Sequence, residues 1–313
     1  MLNRDIYDRI AKRIIEALDK GVAPWHCPLS KDGRPNQNLI SKKPYRGINA
    51  LLLALRGLSE FGSPFWLTFK QAKELGGHVK KGAHGTEIVF WNFRDRRETD
   101  AATGEVTTKR SALIRTYTVF NVEQCELPAD AIPTSPDIEQ NAESRIAGAD
   151  AIVQGYLDNG GPVLRETGDR ACYSPALDIV YLPPFLRFES AADYYSSTFH
   201  ELVHSTGHSR RLAREGIVNT DGFGNHLYSK EELVAESGAA FLCGHVGLLD
   251  RTLDNSAAYL RSWRAKLAEN PEWIIQAIGQ AQRAVDHILG VKYEGEASSE
   301  SNTNTTVEQG VLT

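Results

Sequence analysis

The sequence has few cysteines and no long hydrophobic run. Its four cysteines, Cys27, Cys125, Cys172 and Cys243, are far apart and form no Cys-x-x-Cys pair. Neither a disulfide framework nor a cysteine zinc site is therefore indicated. No apolar stretch approaches the roughly 20 residues of a membrane span, and the mixed-charge N-terminus is unlike a secretory signal. These absences predict a cytoplasmic protein without a membrane partner.

Charge is distributed unevenly along a chain of otherwise ordinary composition. Of its 313 residues, 41% are hydrophobic and 24% are charged, which gives room for two domains. Residues 1–130 contain 21 Lys+Arg and 15 Asp+Glu (net +6), whereas residues 131–313 contain 14 and 25 (net −11). This asymmetry suggests two functions, with the basic half as the binder of a polyanion.

A proline-rich segment separates the two halves. Three prolines fall within nine positions after Leu127, without hydrophobic periodicity, as in a linker. The chain end is rich in Ser, Thr, Asn and Glu, a composition typical of disorder. We therefore expect a first domain at residues 1–126, a linker at 127–138, a second domain at 139–297 and a disordered tail at 298–313.

The first half has the pattern of a small α+β domain. An apolar stripe at four-residue spacing predicts an opening helix that contains Ile6, Ile10, Ile14 and Leu18. A leucine-rich helix is expected near residues 48–58, and Thr68 with Gln71 forms a capping-box signature for a third. Residues 87–93 and 112–120 are predicted strands, joined by a polar loop at 94–109.

The second half contains the motif with the clearest chemistry. His200, Glu201 and His204 form an HExxH motif in an apolar run that is predicted to be helical up to Gly207. Residues four apart share a helix face, so the two imidazoles can bind one metal ion while Glu201 stands beside an open coordination position. A carboxylate there can take a proton from water that the metal has acidified. We predict His200 and His204 as metal ligands and Glu201 as the catalytic base.

A third metal ligand is needed. Arg210 occupies the place of the last histidine in HExxHxxGxxH and cannot bind a metal. Glu232 and Glu236 are four apart on a second predicted helix, so both can face the site. We assign Glu232 to the metal and Glu236 to a ligating histidine, as in the gluzincin pattern; the reverse assignment remains an alternative.

Three neighbouring polar residues are weaker candidates for a role in the site. Glu231 is expected to point away from the site and to be solvated. His226 and Tyr228 could donate to the oxyanion of a tetrahedral intermediate, or could lie on the surface. Residues 173–184 are predicted to form a hairpin before the motif helix, either purely structural or with an edge strand that accepts a peptide.

Aromatic and basic residues are interleaved in the first half. Single-stranded nucleic acid requires cations for its phosphates and flat rings for its unstacked bases. Three tryptophans in such a domain are equally consistent with a hydrophobic core. The candidate contact residues are Trp25, Lys43, Tyr45, Arg46, Trp66, Lys70, Lys80, Lys81 and Trp91.

Ordered motifs in both halves resemble a known family. The segments at residues 24–25, 45–49, 66–72, 76–82 and 89–91 resemble the N-terminal domain of ArdC-type antirestriction proteins. Residues 200–208 and 231–236 resemble their zincin-like metallopeptidase domain. The resemblance implies a protein of a mobile element whose first domain binds single-stranded DNA, and it adds Asn49 and Gln71 to the contact residues.

Two functional hypotheses follow from this resemblance. In the first, DNA localises a metallopeptidase that cleaves a host protein and so protects incoming DNA from restriction. In the second, the protein is a shield that coats the strand, and the metal only stabilises the fold. A regulatory protease of the IrrE type would share the motif but would not explain the basic half. Zinc is the expected metal, although the same ligands accept manganese, cobalt or nickel.

Overall fold

The computed structural model describes residues 2–23, 34–99, 106–133, 142–218, 226–248 and 257–291. In these ranges no helix is long and apolar enough to cross a bilayer. The elements, in chain order, are α1 (Leu2–Asp19), β1 (Gln37–Asn38), α2 (Ile48–Glu60), β2 (Phe65–Leu67), α3 (Phe69–Glu74), β3 (His78–Val79), β4 (Thr86–Thr99), β5 (Val106–Asn121), β6 (Cys125–Glu126), α4 (Ala142–Asp158), β7 (Val163–Glu166), β8 (Cys172–Ser174), β9 (Ile179–Leu182), α5 (Ala191–Thr206), α6 (Glu215–Val218), α7 (His226–Val246), α8 (Ala257–Glu269) and α9 (Glu272–Ile288).

The first half is built on a sheet with the strand order β1-β2-β5-β4. A short parallel pair, β1 and β2, begins it, and β2 pairs antiparallel with the end of β5. The capping box that was predicted at α3 is confirmed, because the backbone N–H of Gln71 donates to Thr68 Oγ1 and the backbone N–H of Thr68 donates to Gln71 Oε1. The expected α+β class is likewise confirmed.

β4 and β5 form a long antiparallel arm. Their ladder runs without interruption from the pair Thr86–Val119 to the pair Thr99–Val106. The polar loop predicted at residues 94–109 is therefore wrong, since most of that segment is paired strand. Backbone hydrogen bonds hold the ladder, and they form whether the side chains are apolar or charged.

The second half packs helices against a small sheet. That sheet has the order β7-β9-β8, in which β9 pairs parallel with β7 and antiparallel with β8. The hairpin expected at residues 173–184 is thus present as β8 and β9. The two buried helices α5 and α7 lie against each other, and α9 covers them through an apolar stripe that includes Ile274, Ile278 and Ala281.

One hydrophobic core extends across both halves. The cluster that contains Phe199 and Leu233 of the second half also contains Ile14 of α1 and Leu52 of α2. Polar contacts add to this joint, since Gln282 Oε1 of α9 accepts the Gly47 N–H at 3.0 Å. The two sequence halves are therefore packed together directly, through α1 and α2 on one side and α8 and α9 on the other.

Candidate metal centre

The motif helix α5 begins with a well-formed cap. Ser190 has extended backbone angles, and its hydroxyl accepts the Asp193 N–H at 3.1 Å, which satisfies one of the free donors at the helix start. The helix then runs to Thr206 with its second half almost wholly buried. His200 and His204 follow each other by one turn on the face that meets α7.

The second helix, α7, crosses α5 at very short range. A Cβ atom added to Gly238 would lie 2.7 Å from Val203 Cγ2, so only glycine fits at this point. Such close approach brings the α7 backbone near enough for a glutamate side chain to reach the α5 histidines. The sequence signal for this crossing is Gly238, which lies between the small residues Ser237 and Ala239 in the buried part of α7.

Three side chains converge between the two helices. Nε2 of His204 lies 3.1 Å from Nε2 of His200. The Glu232 carboxylate approaches within 3.5 Å of His200 Nε2 and 3.6 Å of His204 Nε2. Among the described residues, these three form the one group of potential ligands whose donor atoms lie within 4.8 Å of one another. Glu236, the alternative third ligand, is not a member of that group.

These separations suit a tetrahedral metal ion. With metal–ligand bonds of about 2.1 Å, tetrahedral geometry separates neighbouring ligand atoms by about 3.4 Å. Two imidazole nitrogens at 3.1 Å repel each other unless a proton or a cation lies between them. The donor set of two nitrogens and one carboxylate therefore fits a divalent ion such as zinc.

Glu231 is buried, and the expectation that it is solvated is wrong. Its side chain is 3% exposed, and Oε1 lies 3.3 Å from Nδ1 of His204. Arg214 donates to both carboxylate oxygens, from Nη2 to Oε1 at 2.6 Å and from Nε to Oε2 at 2.9 Å. Burial raises the pKa of Glu231, but the hydrogen bonds and charges of His204 and Arg214 outweigh it and lower that pKa below its ordinary value.

Arg214 also closes the end of α5. It donates from Nη2 to the Val203 carbonyl at 2.7 Å and from Nη1 to Thr206 Oγ1 at 2.6 Å, so it satisfies groups that the last turn leaves free. Gly207 makes room for it, since a Cβ there would lie 3.0 Å from Arg214 Nη2. One arginine thus links the helix end to the carboxylate that holds His204.

The charges around His200 come from three glutamates. Burial acts to lower the His200 pKa and is the largest single influence, but a hydrogen bond with Glu232 and the charges of Glu201, Glu232 and Glu236 raise the pKa above its ordinary value. Glu236 therefore acts on His200 electrostatically from the next turn of α7. Glu201 itself is 8% exposed, so it is largely shielded from water.

The strand β8 forms one edge of the small sheet and packs against α5. Burial raises the pKa of the Cys172 thiol in this strand, and the negative charge of Glu201 raises it further. Cys172 of this strand is therefore within electrostatic range of the Glu201 carboxylate. The edge of β8 that faces away from β9 has no strand partner among the described residues.

Several residues expected to contact DNA have roles within the protein. Trp66 is fully buried and donates from Nε1 to Asn36 at 2.7 Å, so its ring cannot stack on a base. The side-chain amide of Asn49 binds the Val89 backbone twice: Oδ1 accepts the Val89 N–H and Nδ2 donates to the Val89 carbonyl, as the backbone of a neighbouring strand would. These two assignments are corrected: Trp66 belongs to the core, and Asn49 joins α2 to β4.

Three further candidates are engaged by neighbours. Arg46 forms an ion pair with Asp286 of α9. The Gln71 amide caps α3 and accepts from Asn38 Nδ2 at 3.1 Å. Tyr45 is half-buried against the core cluster that contains Trp66. Each of these side chains is thus used in packing or in local hydrogen bonds, and none is a freely exposed group.

The exposed candidates are four lysines, Lys43, Lys70, Lys80 and Lys81. Lys70 pairs loosely with Glu74 at 3.5 Å, and Lys80 Nζ donates to the Glu123 carbonyl at 3.0 Å. Trp25 lies outside the described residues, as do the side chains of Trp91, His226 and Tyr228.

The exposed aromatic residues of the first half were not predicted. Phe69 is 60% exposed, Phe90 55% and Tyr117 45%, and the last two form an edge-to-face pair across β4 and β5. Strand alternation could have indicated them, because Val89 and Phe90 must face opposite sides of the sheet.

Family models match both halves of the chain. Residues 4–120 match the N-terminal domain of the anti-restriction factor ArdC, and residues 151–280 match a zincin-like metallopeptidase. The second model covers α5 and α7, and with them His200, His204 and Glu232.

Relatives of known sequence include two DNA primases TraC of Escherichia coli. Both are 33% identical, over 98% and 91% of this chain. The chain spans only 29% and 20% of their respective lengths. The protein y4eC of Sinorhizobium fredii (strain NBRC 101917 / NGR234) is 31% identical over 90% of this chain and 91% of its own.

Solved structures of one relative match nearly the whole chain. The antirestriction protein ArdC from plasmid R388 aligns in its metal-free form with a TM-score of 0.70 and 32% identity, over 92% of this chain and 97% of that one. Its Mn(II)-bound form aligns with a TM-score of 0.70 and 30% identity, over 91% and 97%. The resemblance inferred from the motifs is confirmed, and the chain belongs to the ArdC antirestriction family.

Proposed function

We propose that this protein protects the DNA of a mobile element by binding it as a single strand and by hydrolysing a peptide bond at a metal centre. The observation that carries the peptidase half is the convergence of His200, His204 and Glu232 between α5 and α7. The Mn(II)-bound relative supports a divalent ion at this position. Zinc is the ion we expect, because two imidazoles and one carboxylate are a common zinc ligand set.

The openness of the centre favours catalysis over a purely structural metal. Structural zinc sites are closed by four protein ligands, whereas catalytic sites keep one position open. Three ligands are found here among the described residues, and the side chains of His200 and Glu232 remain 25% and 26% exposed. Solvent and substrate can therefore reach the metal position.

The protein groups have separate tasks in the proposed reaction. A divalent ion at this centre supplies Lewis acidity, which polarises a peptide carbonyl and acidifies water. The Glu201 carboxylate takes the proton of the attacking water and passes it to the leaving amine nitrogen. Glu231 holds the His204 ring through Nδ1, so that Nε2 faces the metal. A substrate backbone could pair with the free edge of β8, the strand that packs against the motif helix.

The DNA half of the proposal is supported by charge and by family. The first half carries a net +6 and exposes Lys43, Lys70, Lys80 and Lys81. Phosphate contacts from such side chains give affinity that falls steeply with salt. The likeness to the antirestriction protein of plasmid R388 supports incoming plasmid DNA as the ligand.

A Glu201→Gln variant tests whether peptide hydrolysis is needed. The substitution removes the base but leaves all three metal ligands, and general-base catalysis contributes roughly 100- to 10,000-fold to the rate. We expect unchanged metal content and single-strand affinity, but loss of protection when an unmodified plasmid enters a restricting host by conjugation. Glu189→Gln, the same change at an exposed residue before α5, is the matched control. Full protection by Glu201→Gln would favour the shield hypothesis.

A further inference from the structure

Two aromatic rings and one cation share a face of the β4–β5 arm. Phe90 is directly opposite Arg115 in the ladder, and Ile88 is directly opposite Tyr117. Directly opposed residues project to the same side of a sheet, as do residues two apart along a strand. Phe90, Arg115 and Tyr117 therefore lie together, and we name this surface the Phe90 face.

The Phe90 face is open to solvent, while two side chains on the reverse side of the sheet at this point are buried. Val89 and Ile114, which point the other way, are 2% and 1% exposed in the core with α1 and α2. On the Phe90 face the two rings are 55% and 45% exposed, with centroids 6.0 Å apart at 88°. The protein thus leaves two large rings uncovered on a rigid, paired backbone.

The chemistry of this face matches a single-stranded nucleic acid. Unstacked bases bind flat rings in any sequence, and a neighbouring cation binds the phosphate between them. Arg115 is exposed, and it takes part in none of the ion pairs found among the described residues. Double-stranded DNA does not offer its base faces, so rings of this kind distinguish the single strand from the duplex.

We propose that the Phe90 face is the stacking surface for single-stranded DNA, with Phe90 and Tyr117 each contacting a base and Arg115 a phosphate. This inference rests on the proposed DNA-binding function and assigns its contact surface. The surface replaces Trp66, whose ring is buried, as the source of stacking.

The test compares leucine substitutions with a ring-preserving control. Phe90→Leu combined with Tyr117→Leu keeps apolar bulk on exposed positions but removes both flat rings. In fluorescence anisotropy with the full chain and a labelled oligothymidine, we expect at least about tenfold weaker binding, since each stacked base contributes roughly five- to 150-fold. Tyr117→Phe and Phe69→Leu should stay within about twofold. Arg115→Gln should reduce the salt slope by about one.

The outcomes separate this inference from the proposal on which it rests. If the wild-type chain binds no single strand, the DNA-binding function itself fails, and the inference fails with it. If the wild type binds and the double-leucine variant binds equally well, only the Phe90 face is excluded. An oligonucleotide with 5-iodouracil provides a second measurement that needs no variant. Photo-crosslinks to the peptides with Phe90 or Tyr117 support the inference, and crosslinks confined to other peptides overturn it.

Discussion

At the scale of single residues, the orientation of His204 depends on a buried carboxylate. Glu231 accepts from Nδ1 of His204 and is held by two donors of Arg214. A proton on Nδ1 leaves Nε2 with its lone pair, which is the form that binds a metal. The Arg214–Glu231–His204 chain therefore holds His204 in the form that the proposed metal site requires.

Substitution of Glu231 should weaken metal binding. Glu231→Asp keeps the charge that Arg214 needs, but shortens the side chain so that it no longer reaches His204. We expect zinc affinity to fall about 10- to 100-fold, the usual effect of removing such a support. Competition with a chromophoric chelator measures this affinity, and thermal unfolding of the metal-free protein checks the fold. Unchanged zinc affinity in a folded variant would show that Glu231 does not support His204 as a ligand.

The proximity of the two motif histidines could be predicted from the sequence, but the position of Glu231 could not. Helix geometry fixes residues four apart on one face, so His200 and His204 needed no tertiary information. On α7, however, Glu231 and Glu232 point in different directions, and both are used. Most of that helix is buried on all sides, so periodicity gives no inward face. The partner of Glu231, Arg214, lies in an irregular segment whose path no sequence pattern specifies.

At the scale of elements, an ion pair fastens the β8–β9 hairpin to the end of α5. Arg211 pairs with Asp178 in the hairpin turn and also donates from Nε to the Ser205 carbonyl at 2.8 Å. Tyr173 of β8 donates to the same Asp178 carboxylate at 2.9 Å. Since β8 packs against α5, this joint connects the edge strand to the end of the motif helix.

Loss of the Asp178 charge should destabilise the protein in a pH-dependent way. Burial raises the pKa of Asp178, but hydrogen bonds from Arg211 and Tyr173 and the charge of Arg211 outweigh it, so the pKa lies below its ordinary value. A carboxyl whose pKa is lowered by folding stabilises the protein above its ordinary pKa, and this contribution disappears as pH falls through the folded value. Asp178→Asn should therefore cost about 2 kcal/mol near neutral pH and less below about pH 4.

Urea unfolding of wild type and Asp178→Asn across this pH range measures the difference. Asp19→Asn is the matched control, because its pair with Arg264 is about half exposed. Exposed pairs contribute at most about 1 kcal/mol. A pH-independent cost at Asp178 would mean that packing of the turn, and not the charge, stabilises the hairpin.

Part of the β4–β5 arm could not be predicted as strand from the sequence. Residues 94–99 are almost all charged, which suggested a loop, yet their backbone continues the ladder of β4. Apolar alternation is the sequence signal for a strand, and a charged segment without it resembles a loop even where its backbone is paired. The buried part of the arm was predictable because Val89 and Ile114 must face the core.

At the scale of the molecule, the two halves of the chain share one hydrophobic core and are not structurally independent. Ile10 and Leu51 of the first half and Ile278 of the second belong to a single hydrophobic cluster. The Arg46–Asp286 pair and the contact of Gly47 with Gln282 cross the same boundary. The linker predicted at residues 127–138 rests on composition, and composition carries no information about which helices pack together across it.

This shared core predicts that the first half does not fold stably alone. A fragment of residues 1–126 would expose the apolar faces of α1 and α2, which the full chain buries against α8 and α9. Because burial of apolar area drives folding, we expect this fragment to bind a hydrophobic dye and to show little signal dispersion in NMR spectra.

The full chain provides the complementary measurement for the same prediction. It should unfold in urea as one transition, with coincident tryptophan fluorescence and circular dichroism curves. A protease site inserted between residues 134 and 138 is the control, since the cleaved pieces should remain together in size-exclusion chromatography. Two separate transitions, or pieces that part while each stays folded, would show that the halves are independent domains. DNA binding and metal chemistry could then be measured on separate fragments, whereas a single transition requires the intact chain for both.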